Sequence, residues 1–321
     1  MTGKIGTAFV LGAGLGKRLH PLTLVRPKPL IPIFGKPLIT FALDHLCAAG
    51  VESFVINTHH LAAQFEDLFG GEAYAGRRLK LVYEPDLLET GGGIKNAEPW
   101  IGKEPFIVYS GDILTDLDVE SLIEEHFRRG NDVTLALRNT GLAAGLTLSA
   151  DGRLIDIKAG YGHAGSYDFA NVSVWNAEIF QRIPPGRKLS FVPVLADWIG
   201  RDGKIGGLVL NEREWFNIGS RAEYLAVHRT ISERRWKPDY LVADDWPVKV
   251  AQNAAIEATA RFSGFYSVGA NCVVESDAVI EDSVLWEGAT IKSQAILQGC
   301  VVAGSLVISG RHENVDFTAV V

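Results

Sequence analysis

The stretch IGTAFVLGAGLGKRLHPLTLVRPKPL, residues 5–30, joins a mainly apolar run to a loop rich in glycine and proline. Residues 5–11 have the composition of a strand that is buried on both faces of a sheet. Residues 11–30 contain three glycines, three prolines and four lysines or arginines, but no acidic residue. Because a carboxylate would repel an anion, and because the whole chain carries a formal charge of −7, this loop indicates a specific site for a polyanion.

Strands and helices alternate after this stretch. Strands are predicted over 51–57, 79–83 and 105–110, helices over 37–50, 61–69 and 118–129, and hairpins within 145–175. Such alternation predicts an α/β fold, a Rossmann-like and mostly parallel sheet with helices on both faces. Ligands of open sheets bind beyond the carboxyl ends of the strands, which is where the glycine loop lies.

A different pattern begins after Pro247. Apolar or aromatic residues recur every six positions, at Ile256, Phe262, Val268, Val274, Ile280 and Trp286. This hexapeptide spacing predicts a small parallel β-helix, in which each apolar residue fills a core shared with the coils above and below. The spacing is lost beyond Trp286.

The composition excludes several classes of protein. A net negative chain offers no general basic field for nucleic acid, and no apolar run reaches the roughly 18 residues of a membrane span. The apolar start leads directly into the glycine loop, so it is expected to be a strand and not a signal peptide. Cys47, Cys272 and Cys300 form no CxxC pair and no even set, which favours the reducing cytoplasm.

Two familiar phosphate loops do not fit the opening stretch. The dinucleotide fingerprint requires glycine where Lys17 stands, and an acidic residue where Asn57 ends the second strand. A Walker A loop requires glycine at the position of Leu11, and serine or threonine at that of Arg18. The opening stretch is therefore predicted to be neither a dinucleotide-binding loop nor a Walker A loop.

The residue types of the loop nevertheless suit phosphate. Gly12, Gly14 and Gly16 allow backbone N–H groups to approach phosphate oxygens closely. Arg18 can bind phosphate oxygens through two hydrogen bonds, and Lys28 supplies a further positive charge. The loop is therefore predicted to bind a phosphorylated ligand.

This arrangement resembles the signature of the sugar-1-phosphate nucleotidylyltransferases, GxGxR followed by PxT and PKP. The matching residues are Gly14, Gly16, Arg18, Pro21, Thr23, Pro27, Lys28 and Pro29. The resemblance covers nearly the whole chain, since members of this family often carry a C-terminal left-handed β-helix. It implies a catalytic domain over 1–236, a linker over 237–255, a left-handed β-helix over 256–310 and a tail over 311–321.

The resemblance implies a nucleoside triphosphate and a sugar 1-phosphate as substrates. The nucleotide-binding residues that it implies are Leu11, Gly12, Ala13, Gly14, Gly16, Lys17, Arg18, Glu84, Thr90, Gly91 and Gly92. In YEPDLLETGGGIKNA, residues 83–97, the glycines keep side chains away from the nucleobase and Thr90 can hydrogen-bond to the nucleotide. The form ETGGGI is closest to muramate-1-phosphate uridylyltransferases, whereas guanylyltransferases for mannose and heptose carry variants such as GTGGAI. UTP and GTP therefore both stay open.

Two further segments imply a Mg²⁺ site. In YSGDI, 109–113, the resemblance makes Asp112 the first metal ligand, and a carboxylate is the group that a hard cation requires between two anions. WFNIGS, 215–220, matches WxDxGT with Asn217 in the place of the usual aspartate. An amide oxygen can still coordinate Mg²⁺, although it contributes no charge.

The sugar phosphate is implied to contact two other residues. FANVSVW, 169–175, resembles the strand that contacts the sugar, which makes Asn171 a candidate for its hydroxyls. Lys158 is the candidate for the lysine that family members carry in an EKP triplet. Its surroundings, IDIKAG, lack both the preceding glutamate and the following proline.

The implied reaction is in-line attack by a sugar-1-phosphate oxygen on the α-phosphorus of the nucleotide, with Arg18, Lys28 and Asp112 as the catalytic residues. No general base is required, because a phosphate monoester with a second pKa of about 6 is already ionised at neutral pH. The alternative is a catalytically silent scaffold or regulatory relative with the same two-domain layout, which the presence of Asn217 favours.

The β-helix also suggests assembly. A short β-helix has open ends and exposed strand edges, which are prone to pair with other chains. Large apolar groups in this region are Phe262, Phe265, Tyr266 and Trp286. A homo-oligomer, most simply a dimer, is therefore expected.

Overall fold

The structure is a computed structural model that describes residues 3–141, 144–158, 160–201, 203–242 and 245–319. Within these limits the chain divides into two compact units. The first unit comprises Met1–Gly14 and Phe41–Trp215, and the second comprises Leu15–Thr40 and Phe216–Val321. The opening loop is thereby shared: its first two glycines belong to the first unit, and its basic residues belong to the second.

The α-helices of the described residues are α1 Leu22–Val25, α2 Leu38–Ala48, α3 Ala63–Phe69, α4 Glu89–Asn96, α5 Glu98–Ile101, α6 Val119–Arg129, α7 Phe191–Ile199 and α8 Arg221–Arg234. Short 3₁₀ helices span Lys17–Leu19, Lys28–Leu30 and Ala177–Gln181. The helices predicted over 37–50, 61–69 and 118–129 are confirmed by α2, α3 and α6, with slightly shorter bounds.

The strands up to residue 217 are β1 Thr7–Leu11, β2 Pro32–Ile33, β3 Lys36–Pro37, β4 Ser53–Thr58, β5 Ala73–Tyr74, β6 Arg77–Tyr83, β7 Phe106–Ser110, β8 Ile113–Thr115, β9 Val133–Arg138, β10 Leu146–Leu148, β11 Leu154–Ile157, β12 Asp168–Trp175, β13 Ile205–Val209 and β14 Trp215–Asn217. Those that follow are β15 Ala255–Ile256, β16 Arg261–Val268, β17 Val273–Val274, β18 Val279–Leu285, β19 Thr290–Ile291, β20 Ile296–Gln298, β21 Val301–Ala303, β22 Val307–Ile308, β23 Arg311–Glu313 and β24 Asp316–Thr318.

The first unit is built on a mostly parallel sheet in the order β13-β9-β12-β7-β1-β4-β6-β5. Strand β1 lies between β4 and β7 and is parallel to both, so that Leu11 pairs with Asn57 on one side and with Ser110 on the other. The carboxyl ends of these three strands therefore share one sheet edge. Strands β4 and β7 lie on opposite sides of β1, so the carboxyl end of β1 is a topological switch point, the place where α/β proteins bind ligands. The predicted α/β class is confirmed.

The core of this unit follows from the strand register. Phe9 pairs with Val55 and with Val108, and all three side chains belong to one buried cluster. Ile94 of α4 lies in the same cluster and is fully buried. Burial of each such side chain stabilises the fold by about 1.5–3 kcal/mol.

The C-terminal part of the second unit consists of stacked parallel strands, as a β-helix requires. Ile256, Val274, Ile291 and Ile308 pair in succession and form one column. Eighteen residues separate the first pair and seventeen separate each later pair. The shorter coils explain why a strict repeat of six is lost from the sequence. Parallel strands continue through β24, so the described residues of the segment expected as a tail also join this stack.

Trp286 does not occupy the coil core that the six-residue spacing predicts. Val268 pairs with Leu285, which in turn pairs with Val302, and these residues form the core column. Trp286 is buried elsewhere, and its indole Nε1–H donates to the Tyr224 hydroxyl of α8 at 2.9 Å. The prediction was wrong by one position because a seventeen-residue coil shifts the inward-facing residue. Phe265 is buried as well, so neither of these two side chains is exposed for a second subunit.

His228 and His45 are buried in the neutral form, and burial also lowers the pKa of the buried His126. On α8, the His228 Nδ1–H donates to the Tyr224 carbonyl at 2.9 Å, while Nε2 accepts from the Phe34 N–H at 3.4 Å. His45 of α2 lies 3.2 Å from the Tyr109 hydroxyl. Burial lowers the pKa of each imidazole to about 4. Protonation of His228 would also turn its Nε2 acceptor into a donor facing another donor.

These imidazoles predict an acid-sensitive fold. Because their pKa values are lower in the folded than in the unfolded chain, the unfolded state binds more protons between about pH 6.5 and pH 4, and stability falls as the pH is lowered through that window. We expect a loss of about 2 kcal/mol per imidazole at pH 5 relative to pH 7, measured by urea unfolding. A His228→Asn variant that retains the full pH dependence would contradict the assignment to His228.

Candidate active site

The glycine loop begins with a close backbone contact. The Gly12 N–H donates to the Asn57 side-chain oxygen at 2.8 Å. A Cβ at position 12 would lie 2.6 Å from the Asn57 carbonyl oxygen, so only glycine fits directly after Leu11. Ala13 is buried, whereas a Cβ at Gly14 would meet no atom within 4 Å. The space beside Gly14 is open to a ligand.

Asn57 and Glu84 connect this loop to the ETGGGI segment. The Asn57 Nδ2 donates to Glu84 Oε1 at 2.8 Å, and Glu84 Oε2 accepts from the Leu88 N–H at 3.0 Å. Burial raises the pKa of Glu84, although these two hydrogen bonds act against the rise. The Glu84 carboxylate is thus engaged in holding the site, and its predicted contact with nucleotide stays a prediction. Sequence reasoning missed the role of Asn57, whose only signal is a polar side chain ending a buried strand.

The segment 83–97 contains helix α4. Its glycines are buried: a Cβ at Gly91 would lie 2.8 Å from the Leu189 carbonyl oxygen, and one at Gly92 would lie 2.3 Å from that of Arg187. The Thr90 hydroxyl accepts the Phe191 N–H at the start of α7, at 3.2 Å. Close packing against residues 187–191 therefore accounts for Gly91 and Gly92, independently of any nucleobase.

Asp112 lies at the sheet edge already described. It follows β7 in a turn, and the Gly111 N–H donates to the Leu11 carbonyl at 2.9 Å. Since β7 and β1 are adjacent and parallel, this bond places Asp112 beside the start of the glycine loop. The first unit therefore brings Asp112 together with Gly12.

The basic half of the loop is organised in the second unit around Gly16. This residue has a φ of +61°, and a Cβ there would lie 2.9 Å from Thr23 and 3.0 Å from the Lys28 Cβ. The Thr23 hydroxyl donates to the Gly16 carbonyl at 2.9 Å. Lys17 and Arg18 begin the 3₁₀ helix that follows. Both backbone conformation and space therefore require glycine at position 16.

Arg18 and Asn217 meet at Gly219. A Cβ at Gly219 would lie 2.7 Å from Arg18 Nη2 and 3.0 Å from Asn217 Nδ2. The Asn217 Nδ2 donates to Glu223 Oε1 at 3.2 Å, while Glu223 Oε2 accepts from the Gly219 N–H and from the Ser220 hydroxyl. Ser220 and Glu223 thus form a capping box at the start of α8, and the hydrogen bond to Glu223 also holds the Asn217 amide nitrogen.

The two candidate sugar-phosphate residues both have unusual backbone conformations. Lys158 has a φ of +54° at the end of β11, and its N–H donates to the Gly145 carbonyl at 2.5 Å. Asn171 has a φ of +63° within β12, where the register with β9 shifts between Phe169 and Ser173. Left-handed backbone is uncommon in residues other than glycine.

Lys158 lines a mainly apolar cavity of about 170 Å³ in the first unit. The other lining residues are Leu135, Gly145, Leu146, Ile157, Phe169, Phe191 and Val192. The N–H of Gly145 donates to the Tyr167 carbonyl at 3.0 Å, and its carbonyl accepts from Lys158, so this backbone is already hydrogen-bonded. The cavity thus offers a ligand mostly apolar surface.

Sequence comparisons identify relatives of this chain among known proteins. Residues 7–144 match the family model described as Nucleotidyl transferase. The chain is 32% identical to N-acetylmuramate alpha-1-phosphate uridylyltransferase of Neisseria meningitidis over 222 residues, which cover 66% of this chain and 93% of that protein. It is 29% identical to mannose-1-phosphate guanylyltransferase of Mycobacterium tuberculosis over 310 residues, covering 92% and 82% of the two chains.

A second uridylyltransferase of the same name, from Caulobacter vibrioides, is 33% identical over 241 residues, which cover 70% of this chain and 97% of that protein. The chain belongs to the sugar-1-phosphate nucleotidylyltransferase family. As a member of this family it is an enzyme, a nucleotidyltransferase.

Asp112 and Asn217 each carry an oxygen of the kind that a hard cation prefers. Asp112 provides a carboxylate, and the Asn217 amide presents its oxygen because its nitrogen is bonded to Glu223. Mg²⁺ typically takes few protein ligands and completes its shell with water and phosphate oxygens. The described part of the chain contains no group of three or more His, Cys, Asp or Glu side chains that could hold a metal ion. No helix among the described residues is long and apolar enough to cross a membrane.

Two glycine substitutions separate packing from ligand access. We expect Gly92→Ala to lower the midpoint of thermal unfolding by several degrees, because its Cβ would lie 2.3 Å from a backbone oxygen. Gly14→Ala is the matched control, since no atom lies within 4 Å of its added Cβ. It should unfold near the wild-type temperature while binding nucleotide more weakly. Equal unfolding midpoints for the two variants would contradict the explanation that close packing requires glycine at position 92.

Proposed function

We propose that this protein transfers a nucleotidyl group from UTP or GTP to a sugar 1-phosphate, with release of pyrophosphate. The observation that carries the proposal is the arrangement around Gly16, whose left-handed turn packs against Lys28 and opens the 3₁₀ helix that carries Arg18. A lysine and an arginine at a loop without acidic residues suit a triphosphate. Family membership supports the same reaction class.

In this reaction an oxygen of the sugar 1-phosphate forms a bond to the α-phosphorus. The bond from that phosphorus to the bridging oxygen breaks, and pyrophosphate leaves with the electron pair. Arg18 binds the β- and γ-phosphates, and Lys28 binds the α-phosphate or the sugar phosphate. Because the attacking phosphate is already ionised, catalysis consists of holding two anions together and stabilising the charge that moves to pyrophosphate.

Asp112 is the proposed anionic ligand of Mg²⁺, and Asn217 is the proposed second ligand. A bound divalent cation supplies neutralisation of phosphate charge in this chemistry. The remaining predicted nucleotide contacts are with Leu11, Gly12, Ala13, Gly14, Lys17, Thr90, Gly91 and Gly92. Lys158 and Asn171 are the proposed contacts of the sugar phosphate.

The cavity beside Lys158 favours a sugar that carries an apolar substituent. A hexose hydroxyl buried there would lose a hydrogen bond to water without a replacement, at a cost of about 1–3 kcal/mol. A methyl group in the same place gains roughly 0.8 kcal/mol. The proposed sugar substrate is therefore an N-acylated hexosamine 1-phosphate, which agrees with the N-acetyl sugar in the names of two relatives. The nucleobase is undecided, since the named relatives include both uridylyl and guanylyl enzymes.

Three further features remain predictions. The cytoplasm is the expected location, in keeping with the free thiols of Cys47, Cys272 and Cys300. The left-handed hand of the C-terminal coil and the domain boundaries at 236, 255 and 310 are expected from the family resemblance. A homo-oligomer is expected from the open coil ends, now without Trp286 or Phe265 as exposed groups.

Pyrophosphate release tests the proposed reaction. We expect turnover with UTP or GTP and a sugar 1-phosphate in the presence of Mg²⁺. Asp112→Ala should abolish turnover with the fold intact, and Lys28→Ala should slow the chemical step by about a hundredfold, as loss of a preorganised charge does. Wild-type protein that releases no pyrophosphate with any pair of substrates would favour the silent scaffold instead.

The sugar preference has its own assay. We expect kcat/KM for N-acetylglucosamine 1-phosphate to exceed that for glucose 1-phosphate by about tenfold or more, because a single apolar group in a matching pocket is worth that factor. Val192→Phe, which fills the cavity, should reduce activity with the N-acetyl substrate alone. Equal kcat/KM values for the two sugars would show that the cavity does not determine the sugar specificity of the enzyme.

A further inference from the structure

The coil residues Trp286 and Glu287 contact the basic loop through Arg26, and all three residues belong to the second unit. The Arg26 guanidinium donates two hydrogen bonds to the Glu287 carboxylate, one of them from Nη1 to Oε2 at 3.2 Å. The same guanidinium lies over the Trp286 ring, with its carbon 4.9 Å from the ring centroid. Burial acts to raise the pKa of Glu287, but the hydrogen bond and charge of Arg26 lower it overall. Arg26 is therefore held by an ion pair and a ring together.

A second contact starts from the same tryptophan. The Trp286 Nε1–H donates to the Tyr224 hydroxyl at 2.9 Å, and that hydroxyl donates to the Pro32 carbonyl at 2.8 Å. Trp286 and Tyr224 are both fully buried, so these bonds are shielded from water. The loop is thus fixed again six residues beyond Arg26.

Lys28 lies between these two fixed points. It is flanked by Pro27 and Pro29, whose rings restrict φ. A 3₁₀ turn follows, with the Leu30 N–H donating to the Pro27 carbonyl at 2.8 Å and the Ile31 N–H donating to the Lys28 carbonyl at 3.3 Å. Fixing Arg26 and Pro32 therefore leaves the backbone of Lys28 with little freedom.

We infer that Trp286 and Glu287 are positioning residues for the nucleotidyl transfer: by clamping Arg26 and Pro32, the C-terminal coil sets the placement of the Lys28 ammonium. This inference rests on the proposed role of Lys28 in the reaction. The lysine side chain is long and flexible, so its charge is preorganised only if its backbone is fixed. A misplacement of about 1 Å at a reacting centre can cost a hundredfold in rate.

The decisive variant is Glu287→Gln in the full-length protein, since it keeps the side-chain shape and removes the charge that holds Arg26. We expect kcat to fall by about tenfold while the KM for nucleotide changes by less than about twofold. Arg26→Gln removes the same pair together with the contact to the Trp286 ring, and should give at least the same loss. The double variant should be no slower than Arg26→Gln alone, because the Glu287 carboxylate then has no guanidinium left to hold.

The matched control is Asp282→Asn. Asp282 of β18 forms another ion pair between the coil and α8, with Arg229 Nη2 at 2.9 Å from Oδ2, and it lies outside the loop of residues 15–40. Asparagine keeps the Oδ1 that accepts the Phe265 N–H. We expect wild-type kcat for this variant. An equal loss of kcat in Asp282→Asn and Glu287→Gln would mean that the contact between Arg26 and Glu287 only stabilises the fold, and would overturn the inference.

A cycle with Lys28 tests whether the coil acts through that residue. Adding Glu287→Gln to Lys28→Ala should slow turnover by less than about twofold, because the group to be positioned is already absent. A full tenfold further loss would show that Glu287 acts by another route. Wild-type kcat in Glu287→Gln itself would also overturn the inference, while leaving the proposed function intact.

Hydrogen exchange provides a readout without turnover. In Glu287→Gln the amides of residues 30 and 31 should exchange at least about tenfold faster than in the wild type, whereas Asp282→Asn should leave them unchanged. Unchanged exchange in Glu287→Gln would overturn the clamp even if the wild-type protein proved inactive. Failure of the proposed reaction, by contrast, would appear as wild-type inactivity with the exchange difference preserved.

Discussion

The parallel pairing of β1 with β4 and β7 is the constraint on which the first unit depends. It brings the carboxyl ends of three buried strands to one edge, so that Gly12, Asn57 and Asp112 become neighbours although they are far apart in sequence. The Asn57 backbone carbonyl lies too close to Gly12 for any side chain at that position. The Asn57 side-chain oxygen accepts a hydrogen bond from the Gly12 N–H instead. Glycine at this position is therefore a consequence of sheet geometry as much as of ligand binding.

Polar groups at this edge are satisfied by one another before any substrate arrives. Asn57 accepts from the loop and donates to Glu84, which also accepts from the Leu88 backbone before α4. Such a network is costly to break, because a buried polar group without a partner loses about 1–3 kcal/mol. Three hydrogen bonds therefore hold the glycine loop after β1 and helix α4 after β6 in one arrangement.

In the second unit, a difference of one residue in coil length changes which side chain faces the coil core. Seventeen-residue coils place Leu285 in the apolar column and leave Trp286 outside it. Outside the coil, the indole reaches Tyr224 with its N–H and Arg26 with its ring. The repeat segment is thereby joined to the signature loop through buried, directional contacts, which differ from the nonspecific apolar contacts within the coil core.

The sequence by itself determined the α/β class, the helices α2, α3 and α6, the C-terminal stack and the family, because these depend on local periodicity and short motifs. Only the tertiary structure decided that α4 forms at the glycine triplet, that Asn57 supports the loop, and that Trp286 leaves the coil core. Each of these depends on a partner distant in sequence: residues 187–191 for the glycines, Gly12 for Asn57 and Tyr224 for Trp286. A single sequence carries the residue types that such contacts require, but the contacts themselves exist only after strand register and coil length have brought the partners within a few ångströms.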